Sequence, residues 1–437
     1  MNYPVHARAY RLPLRSKLYD WLSDNPQRVA TAQQWLGLLN NLQSVRKEEI
    51  ERSGILELLG NHYQPHDRVL LDELMPDIGG ELQQCAPTID AHWKFGFHPS
   101  LDVKTMTDTL PKRVEAKAKP FVEKAQSCYQ HPSMGYWIVR TGYEDLATTA
   151  PNWIVLDNKG KLLRGHERHH GWFPTALEAF DVMHQTIRER FHEFGREQPD
   201  TAFDMYTFMG GKNYQEWFVR LPDWPLPYRD GHFHLDRLLV HIRTTERIDC
   251  DGQPLFMVEE IQSPWHADGR VNGYTTDEDE IGQNECVADA PFAKEWHELG
   301  IKAAIFLAIK QGFTHIGFTT GKQQCGRWGE LEGLMNLYDQ QIPKCLKKIA
   351  GQFDCAYDQT TILTRKPSAR VRADYQSGWE VLDSEHKAIT PPIQTKEVAL
   401  YFLEHKSPRV NEQINVLHIS SALRKAVQAG AVPLFGW

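Results

Sequence analysis

Two short stretches of this chain gather polar side chains where an apolar run stops, and both could do chemistry. The first, FMVEEIQSPWHADGR, carries Glu259, Glu260, Gln262, Ser263, Trp265, His266 and Arg270. Its apolar start reads as a strand, and sites in α/β sheets gather where strands end. Period-two alternation puts Glu260 and Gln262 on one face and Glu259 and Ser263 on the other, so on a straight strand the two carboxylates are not an adjacent pair. A carboxylate turned to the interior must be paired or have a raised pKa, which is the condition for general acid–base work. Glu260, Gln262 and His266 are therefore the candidate catalytic groups, with Glu259, Ser263, Trp265 and Arg270 as candidate substrate contacts. An ion pair that fixes the sheet is the competing reading.

The second stretch, HIGFTTGKQQCGRW, places Thr319, Thr320, Gly321, Gln323, Gln324 and Arg327 where a strand ends in a Gly turn and a helix begins. Backbone N–H groups at such a turn could hold a phosphate or carboxylate, with Arg327 adding charge. Capping of the following helix by Thr320 explains the same residues without a ligand. With Arg270 and Lys302, Arg327 could neutralise a small anionic or nucleotide-containing substrate in a cleft between the two strand ends.

Other chemistries find less support. His166, His169 and His170 in GHERHHGW, and His232 and His234 with Asp236 in GHFHLD, invite a metal reading, since His-x-His on a strand directs both rings to one face. Surface histidines in polar loops explain them as well, and no metal is assigned. There is no Walker-type or GxSxG sequence. The seven cysteines are odd in number and scattered without a CxxC pair, which points to reduced thiols in a cytoplasm. No sequence feature names a cofactor.

The net charge of −8 argues against broad electrostatic attachment to nucleic acid or anionic lipid. The start, MNYPVHARAYRLPLRSKLYDWL, lacks the apolar stretch of a signal peptide, and no run approaches the length of a membrane span.

Periodicity predicts the elements that must position these residues. Residues 1–84 read as a small helical unit, with Thr31 capping AQQWLGLLNNL and a second amphipathic run in KEEIERSGILELLG. Residues 85–200 read as a small α/β unit: strands MGYWIVRTG and NWIVLD, the turn DNKG, and a helix in FPTALEAFDVMHQTIRERFHEF capped by Thr175. Residues 201–365 form the central module. It has strands DMYTFM, YQEWFVRL, LLVHIRTTERI and PLFMVEEI, a polar loop ADGRVNGYTTDEDEIGQNE that could act as a lid, then helix, strand, helix and strand in turn. Pro343 breaks the second of these helices. Residues 366–437 form a tail with helices near VALYFLEHK and SSALRKAVQAG. The class is α/β, of mixed α+β kind, with a mixed central sheet and packed helices.

Three segments carry a resemblance: GGKNYQEWFVRLP, LLVHIRTTERIDCDGQPLFMVEEIQSPWHADGR and APFAKEWHELGIKAAIFLAIKQGFTHIGFTTGKQQCGRW. From Gly210 to Trp328 the chain resembles a module of large phage "polyvalent" and internal virion proteins. In that family the second segment ends in a motif like EEIQSDWHQ followed by a basic residue and Gly-Tyr, and the third in TTG-x-QQ-x-x-RY. TAQQWLGLLNNLQSVRKEEIERSGILELL and AGAVPLFGW are similar to flanking regions of the same proteins. The resemblance implies a virion-associated or ejected accessory protein, located in the particle or the host cytoplasm, with other virion proteins as partners. It implies no reaction. Pro264 stands where the family has an acidic residue, and Trp328 where it has Tyr; if that acidic residue is catalytic in relatives, this chain is a structural version. The strand–helix–strand–helix order from PLFMVEEI onward also resembles the cofactor half of N-acetyltransferases, although the loop before Trp296 lacks their Gly-rich pyrophosphate pattern.

Overall fold

The computed structural model describes residues 10–93, 114–130, 136–144, 151–157, 159–163, 172–173, 178–179, 182–183, 186, 207–281 without 232 and 234, 286–365 without 330, 369–374, 378–383, 387–390, 399, 403 and 407–437. The chain is an α/β protein with two compact units. One comprises Met1–His92, Tyr214–Ile362 and Glu412–Trp437; the other comprises Trp93–Asn213 and Leu363–Asn411. The N-terminal helices and the last part of the 366–437 block, Glu412–Trp437, thus share a unit with the motif-bearing strands, whereas the rest of that block falls in the other unit. A single hydrophobic cluster runs from Leu12 through Trp35, Trp265 and Phe318 to Trp437.

The larger unit is built on an eight-stranded mixed sheet. Its strands are β1 (Tyr10–Arg11), β2 (Thr88–Trp93), β3 (Lys212–Arg220), β4 (Leu238–Ile248), β5 (Pro254–Gln262), β6 (His315–Phe318), β7 (Tyr357–Arg365) and β8 (Arg409–His418), in the order β1-β2-β3-β4-β5-β6-β8-β7. The hairpin β4–β5 is antiparallel, closed by the expected DCDG turn with Gly252 at φ +79°. β5 pairs parallel with β6, and β6 antiparallel with β8.

Among the described residues five helices precede β2: α1 (Lys17–Asp24), α2 (Ala32–Asn40), α3 (Lys47–Arg52), α4 (Ile55–Asn61) and α5 (Leu71–Gln84). Thr31 caps α2 through a full capping box, as its sequence predicts. The run KEEIERSGILELLG is not one helix but two, α3 and α4, because Gly54 adopts φ +69° and breaks it. The polar stretch after β5, expected as a loop, begins instead with α6 (Pro264–Asn272). Ser263 accepts from the His266 amide as N-cap and Pro264 occupies the first turn, where its missing N–H leaves nothing unsatisfied. Tyr274–Thr275 then pairs with Val287–Ala288.

Helix α7 (Trp296–Lys310) is apolar nearly all round and is a core helix. Its Gly300 sits against Ile261 of β5 and Val240 of β4, where a Cβ would fall 2.6 Å from Ile261 Cγ2. Helix α8 (Gly321–Trp328) follows β6, and α9 (Glu332–Asn336), a π turn at Leu337–Gln341 and α10 (Ile342–Phe353) form one interrupted run. Pro343 lies in the first turn of α10, so the expected break is a π turn just ahead of the proline. Helix α11 (Ser421–Gln428), capped by Ser420, leads to the buried segment Val432–Trp437.

The second unit holds a three-stranded antiparallel sheet, Ala125–Gln130, Trp137–Glu144 and Pro151–Leu156, and a hairpin of Ala369–Asp374 with Gly378–Asp383. Most of the helix expected from Thr175, most of the helix near VALYFLEHK and the first half of DMYTFM lie outside the described residues; the second half, Thr207, Phe208 and Met209, forms a bend and turn rather than the expected strand. Among the described residues no helix is long and apolar enough to cross a membrane.

Candidate functional site: a buried polar face on the central sheet

The central strands β4 and β5 are buried on both faces, and one of these faces is crossed by a polar stripe. Ile242 opposite Ile261 and Thr244 opposite Val258 look toward α7. The other face carries every second residue of β4: His241, Arg243, Thr245 and Arg247, all buried. Tyr214 and Glu216 of β3 join them, with the Tyr214 hydroxyl 2.6 Å from Glu216 Oε1.

A β-bulge decides where the two glutamates go. Arg243 is opposite Glu260 but Thr244 is opposite Val258, so Glu259 is the extra residue of β5. On a straight strand Glu259 would face α7; the bulge turns it back, and both carboxylates reach the polar face. This corrects the alternation drawn from the sequence, which placed them on opposite sides. Glu259 Oε1 accepts from Thr245 Oγ1 at 2.7 Å and from Arg247 Nη2 at 3.0 Å, and Oε2 accepts from Arg327 Nη2 at 2.7 Å. Glu260 Oε1 accepts from the Trp328 indole at 2.6 Å. Its Oε2 is 2.5 Å from Arg243 Nη2, a charge contact outside hydrogen-bond alignment. Burial works against charge on Arg243, but Glu260 and Tyr214 outweigh it and hold the guanidinium above the ordinary arginine range. Burial and Glu216 push the Tyr214 hydroxyl well up, so it stays a neutral donor.

The second motif converges on the same place. β5 pairs with β6 only as far as Val258 and Phe318, which leaves the next backbone groups of β5 without a strand partner on that side. Side chains take over the ladder. The Glu259 carbonyl accepts from Gln324 Nε2 at 2.6 Å, Arg327 Nη1 at 2.7 Å and Thr319 Oγ1 at 3.3 Å. The Tyr338 hydroxyl, brought in by the π turn, accepts from Ile261 N at 2.8 Å and donates to Ile261 O at 3.1 Å. Thr320 caps α8 in a capping box with Gln323, whose amide also reaches Glu412 and the Gln413 carbonyl.

Several expected ligand contacts are engaged within the protein. The Gly321 amide, offered above for an anion, donates to Asp339 Oδ1 at 2.8 Å. Lys302 does not join the strand ends: its ammonium donates to the Leu434 carbonyl at 3.0 Å and lies 5.5 Å from the Trp437 ring, and burial depresses its pKa to about 8. His266 is not paired with either glutamate. Its Nε2 donates to the Pro291 carbonyl at 3.0 Å, its Nδ1 accepts from Tyr274 at 2.9 Å, and burial lowers its pKa to about 4, so the ring is neutral. Trp265 stacks on Tyr228 and donates to the Ala288 carbonyl; Ser263 caps α6; Arg270 is exposed on its last turn. EEIQSPWH therefore splits. Glu259, Glu260 and Gln262, the last 2.8 Å from His241 Nδ1, belong to the polar face, whereas Ser263, Trp265 and His266 anchor α6.

Tyr214, Glu216, His241, Arg243, Thr245, Arg247 and Tyr338 went unread in the sequence. The signal for the four on β4 is a period-two polar stripe, H-x-R-x-T-x-R. Among the described residues no group of three or more His, Cys, Asp or Glu is arranged to hold a metal ion, and the GHERHHGW histidines, His232 and His234 lie outside those residues. All seven cysteines are free thiols. No family model matches the chain, and no solved structure matches it.

Proposed function

We propose that this chain is a phage-encoded accessory protein, carried in the virion or ejected from it, whose central module serves as a folded binding or assembly unit. The observation that carries this reading is the mutual engagement of the two motifs: Glu259 receives Arg327, Gln324 and Thr319, and Glu260 receives Trp328. The candidate anion contacts Gly321, Arg327 and Lys302 are held by Asp339, Glu259 and Leu434 instead. Motif residues that fasten one another define a shape, and a defined shape is what other virion proteins would recognise. The phage context rests on the resemblance between Gly210 and Trp328. At the position where the family has Tyr, the Trp328 indole supplies a donor to Glu260, and Pro264 starts α6, so both departures fit a structural role.

Quantitative mass spectrometry of purified particles of the encoding phage tests the proposal. A fixed copy number relative to the portal protein is expected, and absence from particles would overturn it.

A second reading is a phage enzyme of transferase type acting on a small anionic or nucleotide-containing substrate, with Glu260 as its acid–base group. One observation favours it: parallel β5 and β6 are joined through α7, the layout that the acetyltransferase resemblance implies. A rise in melting temperature with acetyl-CoA or a nucleotide, present in the wild type and absent in Glu260→Gln, would select this reading.

A further inference from the structure

On the sheet's far side from β3, His315 of β6 stands directly opposite His418 of β8. Directly opposed residues of an antiparallel pair share a face, with Cβ atoms roughly 5 Å apart. The two imidazoles meet edge to face, their centroids 4.5 Å apart at 75°. The protein engages one nitrogen of each ring. His315 Nδ1 is 2.9 Å from Thr314 Oγ1, and His418 Nε2 is 3.0 and 3.2 Å from the two carboxylate oxygens of Asp358 on β7.

The Asp358 contact fixes the His418 tautomer. An ionised carboxylate only accepts, so His418 Nε2 carries the hydrogen and Nδ1 is the basic atom. The Thr314 hydroxyl both donates and accepts, so a metal ion on His315 Nε2 would be matched by Nδ1–H donating to Thr314 Oγ1. The site is open to solvent, with 37% of the His418 side chain and 57% of the Asp358 side chain exposed.

We propose that His315 and His418 form a two-histidine site for a divalent transition-metal ion of the zinc class, with Asp358 as the outer carboxylate that orients His418. Neutral imidazole suits Zn²⁺, Cu²⁺ and Ni²⁺ and binds Mg²⁺ and Ca²⁺ poorly. A ligating histidine characteristically donates its other ring N–H to a carboxylate, as His418 does to Asp358. Two protein ligands leave the remaining positions to water or to a donor from a partner, which makes this an open site rather than a closed structural one. The ligands come from strands far apart in sequence, so no spacing motif announces them. The site is independent of the role proposed for the polar face.

Calorimetric titration of the full chain with ZnCl₂ in a non-chelating buffer, paired with electron paramagnetic resonance of the Cu²⁺-loaded protein, tests the site. The expected result is one equivalent of Zn²⁺ bound at least about tenfold more tightly than any other, and lost in His315→Gln and His418→Gln. Asp358→Asn should weaken it about tenfold. Cu²⁺ spectra should show two nitrogen ligands in the wild type and one in either single variant. An unchanged Zn²⁺ isotherm in the double His variant, or no tight equivalent in the wild type, would overturn the site. Should a His variant unfold, exposed Asp358→Asn decides the matter, because unchanged affinity there contradicts the outer-carboxylate role.

Discussion

Arg327 holds Glu259 twice, with Nη2 2.7 Å from carboxylate Oε2 and Nη1 2.7 Å from the main-chain carbonyl of the same residue. One guanidinium thereby fixes both the charge that the bulge turns away from α7 and the backbone group that β6 is too short to pair. The fork geometry of arginine, with donors on separate nitrogens, spans the two acceptors, whereas all three donors of a lysine sit on one nitrogen. Around this pair the polar face sets three arginines, Arg243, Arg247 and Arg327, beside three glutamates, Glu216, Glu259 and Glu260. Such a lattice contributes little net stability compared with an apolar core, but removing one member leaves its partner buried and uncompensated.

Tyr338→Phe keeps the ring and removes the hydroxyl that bridges Ile261 N and O. Two buried backbone groups then lose their partner, and the expected loss is about 2 kcal/mol in urea unfolding. A loss no larger than that of an exposed control, Tyr19→Phe, would show that the β5 backbone finds other partners.

Gly321→Ala should also destabilise. A Cβ there would lie 2.5 Å from Asp339 Oδ2 and 2.9 Å from the Met335 main-chain Cα, and backbone cannot move aside cheaply. A cost of about 1–3 kcal/mol is expected, with the start of α8 displaced from Asp339. Gly326→Ala, where nothing lies within 4 Å, is the control and should cost nothing.

Much of this frame was legible in the sequence. Alternation in LLVHIRTTERI and PLFMVEEI, the DCDG turn, Thr31 and Thr320 as caps, and Gly312 after α7 all have local causes that a residue pattern displays. The meeting of EEIQ with TTGKQQCGR was only partly legible. Each segment reads as a strand end, but the Glu259–Arg327 contact depends on the bulge, and whether a strand bulges is settled by its neighbours. His266 and Lys302 misled for a shared reason. Both are polar residues in apolar surroundings, and sequence does not tell a histidine that fastens Tyr274 to Pro291, or a lysine that fastens Leu434, from one that serves chemistry.

Acid should weaken the larger unit partly through His266. Its folded pKa of about 4 lies below the ordinary 6.5, so the unfolded chain binds the proton more readily and stability falls as pH drops from about 6.5 to about 4. The full span corresponds to about 3 kcal/mol. His297, lowered to about 4 by burial, adds a slope of the same sign, whereas Glu48 and Glu49, raised by burial, contribute stability that is present in acid and lost as pH rises. His266→Gln should be less stable than the wild type at pH 7 and show a shallower decline toward pH 4 by urea unfolding. An unchanged slope would mean that His266 is not buried as a neutral ring.

Alkali tests Lys302. With a folded pKa near 8 against an ordinary 10.5, this residue makes stability rise as pH climbs from about 8 to about 10.5. Lys302→Met removes that rise and should be near neutral or stabilising at pH 7, since a flexible apolar chain of similar length replaces a buried ammonium. The buried thiol of Cys85, pushed up to about 12, acts equally in both proteins and cancels in the comparison. Parallel stability curves for wild type and variant from pH 7 to pH 10.5 would contradict the placement of Lys302 against Leu434.

The measurement that bears most directly on the interlocked motifs is a double-mutant cycle of Glu259→Gln and Arg327→Met in the full chain, read by urea unfolding at pH 7. If the two motifs fasten one another, each single variant costs about 3 kcal/mol and the double costs far less than their sum, with a coupling of about 2 kcal/mol or more. Additive single effects, or single variants that leave stability unchanged, would mean that Glu259 and Arg327 do not hold the module together and would contradict the structural role assigned to its motifs.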